Sequence, residues 1–365
     1  MKPRVLIVGR SRYRLPLDAN LRRKFDALAR ELDVRVLASA REGSPVRDET
    51  FHLVPPRNPL DGLRFWAALP FRVRRELRDF PADAVLVQSP YEAAAVLLAH
   101  VSPPVVLEVH GDWRTATRLY GSGARQLLAP AADRLALAAV RRVDAVRTIS
   151  SYTTGLVRAA GVEPTATFPA FMDLDRFLGP IVPLPEQPEA LFVGVLERYK
   201  DVDGLAEAWR LAAPRVPGVK LRIVGNGSRA HVVQALVREL PGQAEWTPEL
   251  PNEEIAGVLD AATVLVLPSR SEGLGRIVVE ALCRGRAVVA SRVGGITDLI
   301  RDGENGLLVE PRDPAALAEA LVRVLSDRAL VGRLAAAARP SAEAWIATPE
   351  DYAARTRELV EQVRR

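Results

Sequence analysis

The chain has 365 residues, of which 48% are hydrophobic and 26% are charged, and its formal net charge is +5. This length suits two domains better than one, and the absence of any run of about 18 apolar residues excludes a membrane span. The first apolar run, residues 5–8, is too short for a signal peptide. The single cysteine, Cys283, excludes an internal disulfide and a cysteine-built zinc site. We therefore expect a cytoplasmic protein, with peripheral attachment to the inner membrane face left open.

Arginine supplies most of the positive charge and is concentrated early in the chain, at residues 10–14, 22–23 and 72–78. Arginine suits phosphate and carboxylate recognition. The plainer interpretation is a solvated helix face, and the alternative is contact with an anionic acceptor or an anionic membrane surface. No nucleic acid partner is expected.

Short apolar runs alternate with amphipathic segments along the chain, and they predict buried parallel strands separated by helices. In the first half, strands are predicted at residues 5–8, 34–38, 50–54, 84–88, 105–109 and 143–149, and helices at 18–32, 63–77 with an interruption at Pro70, 91–100 and 131–142. In the second half, strands are predicted at residues 190–195, 220–224, 263–267, 287–291 and 306–309. This pattern is typical of α/β domains with doubly wound parallel sheets.

A polar, glycine-containing stretch follows the strand predicted at residues 263–267. Gly273 and Gly275 let backbone N–H groups approach a ligand, and the next helix turns its positive end toward the same place. Glu272 and Glu280 flank this anion site, separated by about two helical turns. One carboxylate can serve the reacting end of an extended ligand and the other its far end, which suits a nucleoside diphosphate-sugar.

The Glu272-x7-Glu280 pattern, with its glycines and the Gly294-Gly295 turn, resembles the signature of the family 4 retaining glycosyltransferases. The resemblance is strongest over residues 192–309 and weak before residue 105. It implies the GT-B fold, in which two Rossmann-like domains face a cleft and a C-terminal helix crosses back to domain one. We place domain one at residues 1–178, a proline-rich linker at 179–188, domain two at 189–345 and the returning helix at 346–365.

The resemblance implies transfer of a hexose from a nucleoside diphosphate-sugar to an acceptor hydroxyl with retention of configuration. In that family mechanism, attack would occur on the face that the diphosphate leaves, and the departing diphosphate would act as the base. Glu272 would anchor the sugar hydroxyls and Glu280 the ribose hydroxyls. Backbone N–H groups near Gly273, Leu274 and Gly275 would hold the phosphate.

Two cations follow the strand predicted at residues 190–195. A diphosphate leaving group needs fixed positive charge, because negative charge grows on it as the sugar departs. Lys200 matches the family's lysine, but Val195 stands after Gly194 where the family has arginine. We expect Arg198 to supply that charge, and we expect neither a metal ion nor a cofactor.

The stretch Gly225-Asn226-Gly227-Ser-Arg-Ala230 matches the G-x-G-x-x-A pattern of dinucleotide-binding enzymes. An NAD-dependent dehydrogenase is a remote alternative, because the match lies mid-chain and leaves the Glu272 stretch unexplained. In a glycosyltransferase the same glycines would bring Gly225 and Asn226 close to the nucleotide. The resemblance further suggests that the main chain of Glu249 and Leu250 frames the base.

His110 follows the strand predicted at residues 105–109, and α/β sheets present their chemistry at such strand ends. The resemblance assigns it to the donor sugar, near the primary hydroxyl, and position suggests that Asp112 shapes the acceptor pocket. The predicted loop at residues 9–13 contains Gly9, Arg10 and Arg12, where family members often have several glycines. These arginines hint at an anionic acceptor, which is expected to be a sugar, a lipid or a small anionic glycoside.

Two other functions stay open at the level of sequence. A catalytically silent nucleotide-sugar-binding protein would be expected to lack His110, Glu272 or Lys200, and all three are present. A nucleotide-sugar epimerase or hydrolase of the same fold would use no separate acceptor. Donor turnover with and without acceptors separates these alternatives from a glycosyltransferase.

Overall fold

The computed structural model describes residues 1–56, 61–115 and 123–364, with the backbone alone over residues 123–128. The chain divides into two compact units. Unit 1 comprises Met1–Asp173 and Ala347–Arg365, and unit 2 comprises Leu174–Ile346. Each unit alternates strands with helices, so the predicted α/β class is confirmed.

In the described part of unit 1, seven parallel strands form one sheet in the order β3-β2-β1-β4-β5-β6-β7. They are β1 (Arg4–Tyr13), β2 (Asp33–Ala40), β3 (Phe51–Val54), β4 (Ala84–Val87), β5 (Val105–Val109), β6 (Ala145–Thr148) and β7 (Ala166–Thr167). The direction of winding changes between β1 and β4, where open α/β sheets form their ligand crevice at the carboxyl ends of the strands.

Helices cover both faces of this sheet, because apolar side chains alternate from one face to the other along each strand. The helices of unit 1 are α1 (Ala19–Glu31), α2 (Asp61–Asp79), α3 (Pro90–Leu98), α4 (Gly123–Val140) and α5 (Ser151–Ala159). Val5 and Ile7 of β1 pack in the cluster that contains α1. Leu6 and Val8 pack in the opposite cluster, with α2 and α3.

Two sequence predictions in unit 1 are wrong. Residues 9–13 are not a loop, because β1 resumes after an irregularity and Arg12 and Tyr13 pair with Ser39 and Ala40. The buried Tyr13 ring packs among aromatic side chains, which holds this part of the chain in the sheet. The helix α2 continues through Pro70 without interruption, and apolar residues on both sides of the proline are buried against the sheet.

In the described part of unit 2, six parallel strands have the order β10-β9-β8-β11-β12-β13. They are β8 (Glu189–Val193), β9 (Lys220–Val224), β10 (Ala244–Thr247), β11 (Val264–Leu267), β12 (Ala287–Ser291) and β13 (Gly306–Val309). The helices are α6 (Val202–Ala212), α7 (Ala230–Glu239), α8 (Ile255–Ala261), α9 (Arg276–Cys283), α10 (Ile296–Leu299), α11 (Pro314–Ser326) and α12 (Arg328–Ala342). Winding changes between β8 and β11, which places a second ligand crevice there.

The last helix, α13 (Pro349–Val363), belongs to unit 1. A capping box between Thr348 and Asp351 starts it. Its side chains Tyr352, Leu359 and Val360 lie in the core cluster that also contains α1. The C-terminal segment therefore completes the core of the unit in which the chain begins.

The boundary between the units lies at Asp173–Leu174, earlier than the predicted end of domain one at residue 178. The proline-rich segment predicted as a linker at residues 179–188 belongs to unit 2. Arginines of that unit donate to its carbonyl oxygens: Arg286 to Val182 over 2.9 Å and Arg339 to Gly179 over 2.8 Å. These hydrogen bonds hold the segment against unit 2.

Candidate active site

A cavity of about 390 Å³ opens at the carboxyl ends of β8 and β11 in unit 2. It occupies the position where the change of winding predicts a ligand crevice. Four residues predicted to bind the donor line this cavity together, namely Gly194, Lys200, Glu272 and Glu280.

The loop between β11 and α9 carries Glu272 to the cavity wall. The buried Ser269 donates from its hydroxyl to Glu272 Oε1 over 3.0 Å. Gly275 then adopts a left-handed backbone, with φ of +92°, and α9 begins at the next residue. None of the described side chains caps this helix start, so its first N–H groups can serve an anion in the cavity.

Two glycines in the loop after β12 fix the position of the Glu272 loop. A Cβ atom on Gly294 would lie 1.8 Å from the carbonyl oxygen of Glu272, and one on Gly295 would lie 2.2 Å from that of Gly273. The Gly295 N–H donates to the Glu272 carbonyl over 3.1 Å. The two loops therefore meet through their backbones, which only glycine permits at this separation.

Lys200 forms an ion pair with Glu272, and the two side chains are 11% and 12% exposed. Lys200 lies in the turn between β8 and α6, and Arg270 joins that turn to the Glu272 loop. The Arg270 N–H donates to the Tyr199 carbonyl over 2.7 Å, and its Nε donates to Asp201 Oδ1 over 2.9 Å. These contacts hold a cation and a carboxylate side by side at the cavity.

Glu280 lies in α9 with its side chain nearly buried at the cavity. Arg276, one turn earlier, donates from Nε to Glu280 Oε1 over 2.6 Å. Burial raises the pKa of the Glu280 carboxyl, and Arg276 and Arg176 only partly oppose that rise. Because α9 begins at Arg276, only the second half of the interval from Glu272 to Glu280 is helical, and the predicted two-turn separation is wrong.

The glycines after β9 support the loop after β8. Neither Gly225 nor Asn226 belongs to the described lining of the cavity. A Cβ atom on Gly225 would lie 1.9 Å from the carbonyl oxygen of Gly194. The Gly194 N–H donates to the Val224 carbonyl over 3.0 Å, and the Leu196 N–H donates to the Asn226 carbonyl over 2.9 Å. Close packing of two loops is thus one physical reason for the glycine pattern.

Six other residues of unit 2 that were predicted to hold the donor also lie outside the described lining of the cavity. Three of them, Gly273, Leu274 and Gly275, lie between Glu272 and the start of α9. Arg198 is exposed in a short 3₁₀ turn, Glu249 is exposed and Leu250 is half-buried. The nearby wall comes instead from Asn252 and Ile255, at the start of α8.

In unit 1, His110 directly follows β5, and its Nε2 lies 3.7 Å from Glu108 Oε2. Glu108 pairs with Arg147, its register partner on β6. The buried Arg147 also donates to the carbonyl oxygens of Phe168 over 3.1 Å and Pro169 over 2.8 Å. Burial alone would raise the pKa of Glu108, but Arg147 and then His110 hold that pKa well below the usual carboxyl range.

Gly9 and Arg10 lie at the irregular part of β1. A Cβ atom on Gly9 would lie 2.2 Å from Gln88 Oε1, so a glycine allows this side chain to approach the strand. The guanidinium of Arg10 packs against Gly62 at the start of α2, where a Cβ atom would lie 2.7 Å from its Nη1.

Arg12 and Asp112, which were predicted on the acceptor side, both have ionic partners in unit 1. Arg12 Nη2 lies 3.6 Å from Asp61 Oδ2. Asp112 accepts two hydrogen bonds from the guanidinium of Arg114, at 2.8 and 2.9 Å. These pairs orient the side chains and reduce the net charge that each presents to a ligand.

Two family profiles match consecutive parts of the chain. The profile described as Glycosyltransferase Family 4 matches residues 20–176, and the one described as Glycosyl transferases group 1 matches residues 180–341. The chain belongs to the family 4 glycosyltransferases. The predicted family is thus confirmed.

Among curated relatives of this glycosyltransferase chain, the D-inositol 3-phosphate glycosyltransferase of Nocardioides sp. is 32% identical over 215 residues. That alignment covers 54% of the chain and 47% of the relative, so the chain spans about half the length of this relative.

Solved structures show the fold. Sucrose-phosphate synthase from Thermosynechococcus elongatus has a TM-score of 0.76 and 20% identity, over 99% of both chains. Anabaena HepE, solved in complex with UDP and glucose, has a TM-score of 0.69 and 19% identity, over 97% of this chain and 99% of its own. At these identities the likeness concerns architecture, and the predicted GT-B fold is confirmed.

Sequence reasoning missed two cationic residues that line the cavity of this glycosyltransferase, Arg176 and Arg276. The position of Arg276, four residues before Glu280 on a predicted helix, was a usable signal because such pairs share a helix face. Arg176 gave no such signal, since it lies before the proline-rich segment and far in sequence from the other lining residues.

Proposed function

We propose that this chain transfers a hexose from a nucleoside diphosphate-sugar to an acceptor hydroxyl, with retention of anomeric configuration and without a metal ion. The observation that carries the proposal is the single cavity at which Lys200, Glu272 and Glu280 meet the start of α9. A cation and the first N–H groups of a helix suit a diphosphate. Two carboxylates suit the hydroxyl groups of a hexose and a ribose.

In this mechanism Lys200 and the start of α9 hold the diphosphate and stabilise the negative charge that grows as it leaves. Glu272 accepts hydrogen bonds from the hexose hydroxyls, and Glu280 accepts them from the ribose hydroxyls. The acceptor oxygen bonds to the anomeric carbon on the face that the diphosphate leaves, and the diphosphate takes the acceptor's proton. The protein supplies position and charge, with no covalent intermediate.

A thermal-shift panel of UDP, GDP, ADP and their sugars tests donor binding. A ligand that binds the folded protein raises Tm by mass action. UDP is the first choice, because HepE was solved with it. We expect one nucleoside diphosphate to raise Tm, and Lys200→Ala to reduce that shift. The matched control is Lys220→Ala, which removes an exposed lysine paired with Glu245 in the same unit. If no compound in the panel raises Tm, the proposal is wrong.

Turnover of the donor identified in this way distinguishes the alternatives. A glycosyltransferase forms a glycosylated product only when acceptor is present, whereas a hydrolase or epimerase consumes donor without it and a binding protein consumes none. Activity should survive EDTA. A complete loss that added metal restores would contradict the metal-independent mechanism.

The acceptor is proposed to be a small anionic molecule. The name of the Nocardioides relative refers to inositol 3-phosphate, which is a small anion. In this chain, Arg10 and Arg12 lie where the sheet of unit 1 ends. A product assay with inositol phosphates, free inositol and neutral glycosides tests this choice. Transfer to neutral acceptors alone would contradict it.

His110 is proposed to act on the sugar and not on the nucleotide. His110→Ala should therefore lose turnover while it binds the free nucleoside diphosphate nearly as well as the unchanged protein does. An equal loss of both properties would contradict this role. Tyr91→Phe is a control for general disturbance of unit 1, because it removes one hydroxyl that donates to the Trp113 carbonyl.

An anionic membrane surface is proposed as a further partner of α2. No helix among the described residues is long and apolar enough to span a bilayer. On α2, Leu63 and Phe71 are 62% and 73% exposed, beside the exposed Arg64, Arg75 and Arg78. Apolar and cationic side chains together favour anionic lipid.

Cosedimentation with vesicles tests this partner. Binding to phosphatidylglycerol vesicles, and weaker binding to phosphatidylcholine vesicles, is the expected result. Phe71→Ser should weaken it, whereas Leu211→Ser, which removes an exposed leucine of unit 2, should not. Equal binding of all variants would contradict a role for α2.

A further inference from the structure

Besides Lys200, the cations that line the donor cavity include Arg276, whose carboxylate partner already has a proposed role. We propose that Arg276 exchanges partners during donor binding. It neutralises Glu280 in the free protein, and it turns to the diphosphate when ribose hydroxyls take its place on Glu280. This inference rests on the proposed function and adds a diphosphate-binding residue to it.

The position of Arg276 permits both contacts. It is the first residue of α9, at the helix start where the diphosphate is proposed to bind, and its Nε lies 2.6 Å from Glu280 Oε1. Its side chain is 54% exposed, whereas that of Glu280 is 8% exposed. A half-exposed guanidinium on a flexible stem can turn toward the cavity mouth, while the carboxylate stays where it is.

The burial of Glu280 explains why an exchange, and not a simple release, is required. A buried carboxylate that loses its hydrogen-bonded arginine is destabilised unless other hydrogen-bond donors replace that arginine. Burial already raises the pKa of Glu280. The two hydroxyl groups of a ribose are hydrogen-bond donors. When a nucleoside binds, they can therefore replace Arg276 as the donors to the Glu280 carboxylate.

The charge balance of the cavity favours the same conclusion. Lys200 is paired with Glu272, and Arg276 is paired with Glu280, so these four side chains carry no net charge. Val195, at the wall beside Lys200, is apolar. Arg176, the other cation in the described lining, also acts on Glu280. A diphosphate therefore gains the charges of Lys200 and Arg276 only if hydroxyl groups take the place of these two cations on the carboxylates.

Separate binding measurements on a nucleoside and its diphosphate test the exchange. Calorimetry with UDP, and competition by uridine, are performed on the unchanged protein and on Arg276→Ala. If the thermal-shift panel shows that the protein prefers guanine or adenine, the diphosphate and nucleoside of that base replace them. We expect Arg276→Ala to weaken UDP about tenfold or more, because a charge-assisted hydrogen bond is lost. Uridine should bind equally well or more tightly, because Glu280 no longer has a competing partner.

Two further variants make the result specific. Arg276→Lys keeps the charge and should recover most of the UDP affinity. Arg301→Ala removes an exposed, ion-paired arginine elsewhere in unit 2 and should change neither ligand. Equal weakening of UDP and uridine by Arg276→Ala would overturn the exchange, because it would show that Arg276 only supports the site.

The outcomes also separate this inference from the proposed function. If the unchanged protein binds none of UDP, GDP and ADP, the proposed donor class fails. If it binds one of them and Arg276→Ala has no effect, only the exchange fails. If Arg198→Ala weakens the diphosphate and Arg276→Ala does not, the second cation is Arg198, as the sequence suggested, and the exchange is overturned.

Discussion

Two buried carboxylates, Glu280 and Glu108, have pKa values that move in opposite directions. Burial raises the pKa of Glu280, and its cations oppose the rise incompletely. Glu108 is also buried, but Arg147 lies opposite it on the neighbouring strand and holds the pKa of Glu108 well below the usual carboxyl range. The difference lies in the partners, since a half-exposed arginine stabilises a carboxylate less than a buried one does.

With Glu280 on the ribose as proposed, its raised pKa predicts an acid-sensitive donor affinity. Ribose hydroxyls donate best to the ionised carboxylate, so affinity should fall as pH drops through the pKa of Glu280. That fall should begin at a higher pH than for an ordinary glutamate, whose pKa is about 4.3. Calorimetric titration of the nucleoside diphosphate across this range measures it. Glu280→Gln should bind more weakly at neutral pH and lack this step. An identical pH profile in that variant would contradict the assignment.

The buried Glu108–Arg147 pair predicts a large stability effect from a single substitution. Glu108→Leu leaves the Arg147 charge buried without its carboxylate and should cost about 3–5 kcal/mol, whereas Glu108→Leu combined with Arg147→Met should recover most of this. Urea denaturation measures both. Because the pKa of Glu108 is depressed in the fold, its contribution is present above the ordinary glutamate pKa and is lost as pH falls toward the depressed value. Equal stability of the single and double variants would contradict the interpretation.

At this scale the sequence predicted the residue types of the site better than their partners. Glu272, Glu280 and Lys200 could be selected because their chemistry and spacing suit a diphosphate-sugar. The Glu108–Arg147 pair could not be assigned, since the two residues lie on different strands and only the sheet register brings them together. Two charges within predicted buried strands were nevertheless a signal that each needed a partner.

The order of strands and helices could be predicted from sequence, because apolar periodicity depends on local pattern. Loop geometry could not, because it depends on contacts between distant loops. Gly225 is an example. Its position in a glycine motif suggested that the backbone approaches a nucleotide there, whereas the structure shows close contact between the backbones of Gly225 and Gly194. Similarly, β1 extends to Tyr13 because of packing that no local pattern reveals.

The contact between the loops after β11 and β12 predicts that Gly294→Ala damages the site. The added methyl group would collide with the Glu272 carbonyl, and alanine is also strained at the φ of +54°. The Glu272 loop must shift, and a displacement of about 1 Å can lower turnover about a hundredfold. Gly303→Ala is the matched control, since Gly303 has φ of +80° but open space around it. Steady-state kinetics should show a loss in Gly294→Ala and near-normal turnover in Gly303→Ala. Comparable losses in both would mean that backbone strain, not the loop contact, is responsible.

At the scale of the whole molecule, the chain leaves unit 1 at Asp173 and re-enters it at Ala347. Proline content suggested an interdomain linker at residues 179–188. However, Arg286 and Arg339 bind its carbonyl groups, and composition cannot reveal such hydrogen bonds. Among the described residues, those that line the cavity of unit 2 all lie between these two crossings.

This division predicts that core substitutions in the two units have separable effects. Leu359 of α13 is buried in the core of unit 1, and Leu334 of α12 is buried in unit 2. Each leucine-to-alanine change should cost about 2–5 kcal/mol. Hydrogen exchange should show lost protection mainly in unit 1 for Leu359→Ala, with nucleoside diphosphate affinity nearly unchanged, because the described lining of the cavity belongs to the other unit. Leu334→Ala should show the reverse, with lost protection in unit 2 and weaker binding. If Leu359→Ala weakened nucleoside diphosphate binding as much as Leu334→Ala did, the units would not be energetically separate, and the assignment of donor binding to unit 2 alone would be wrong.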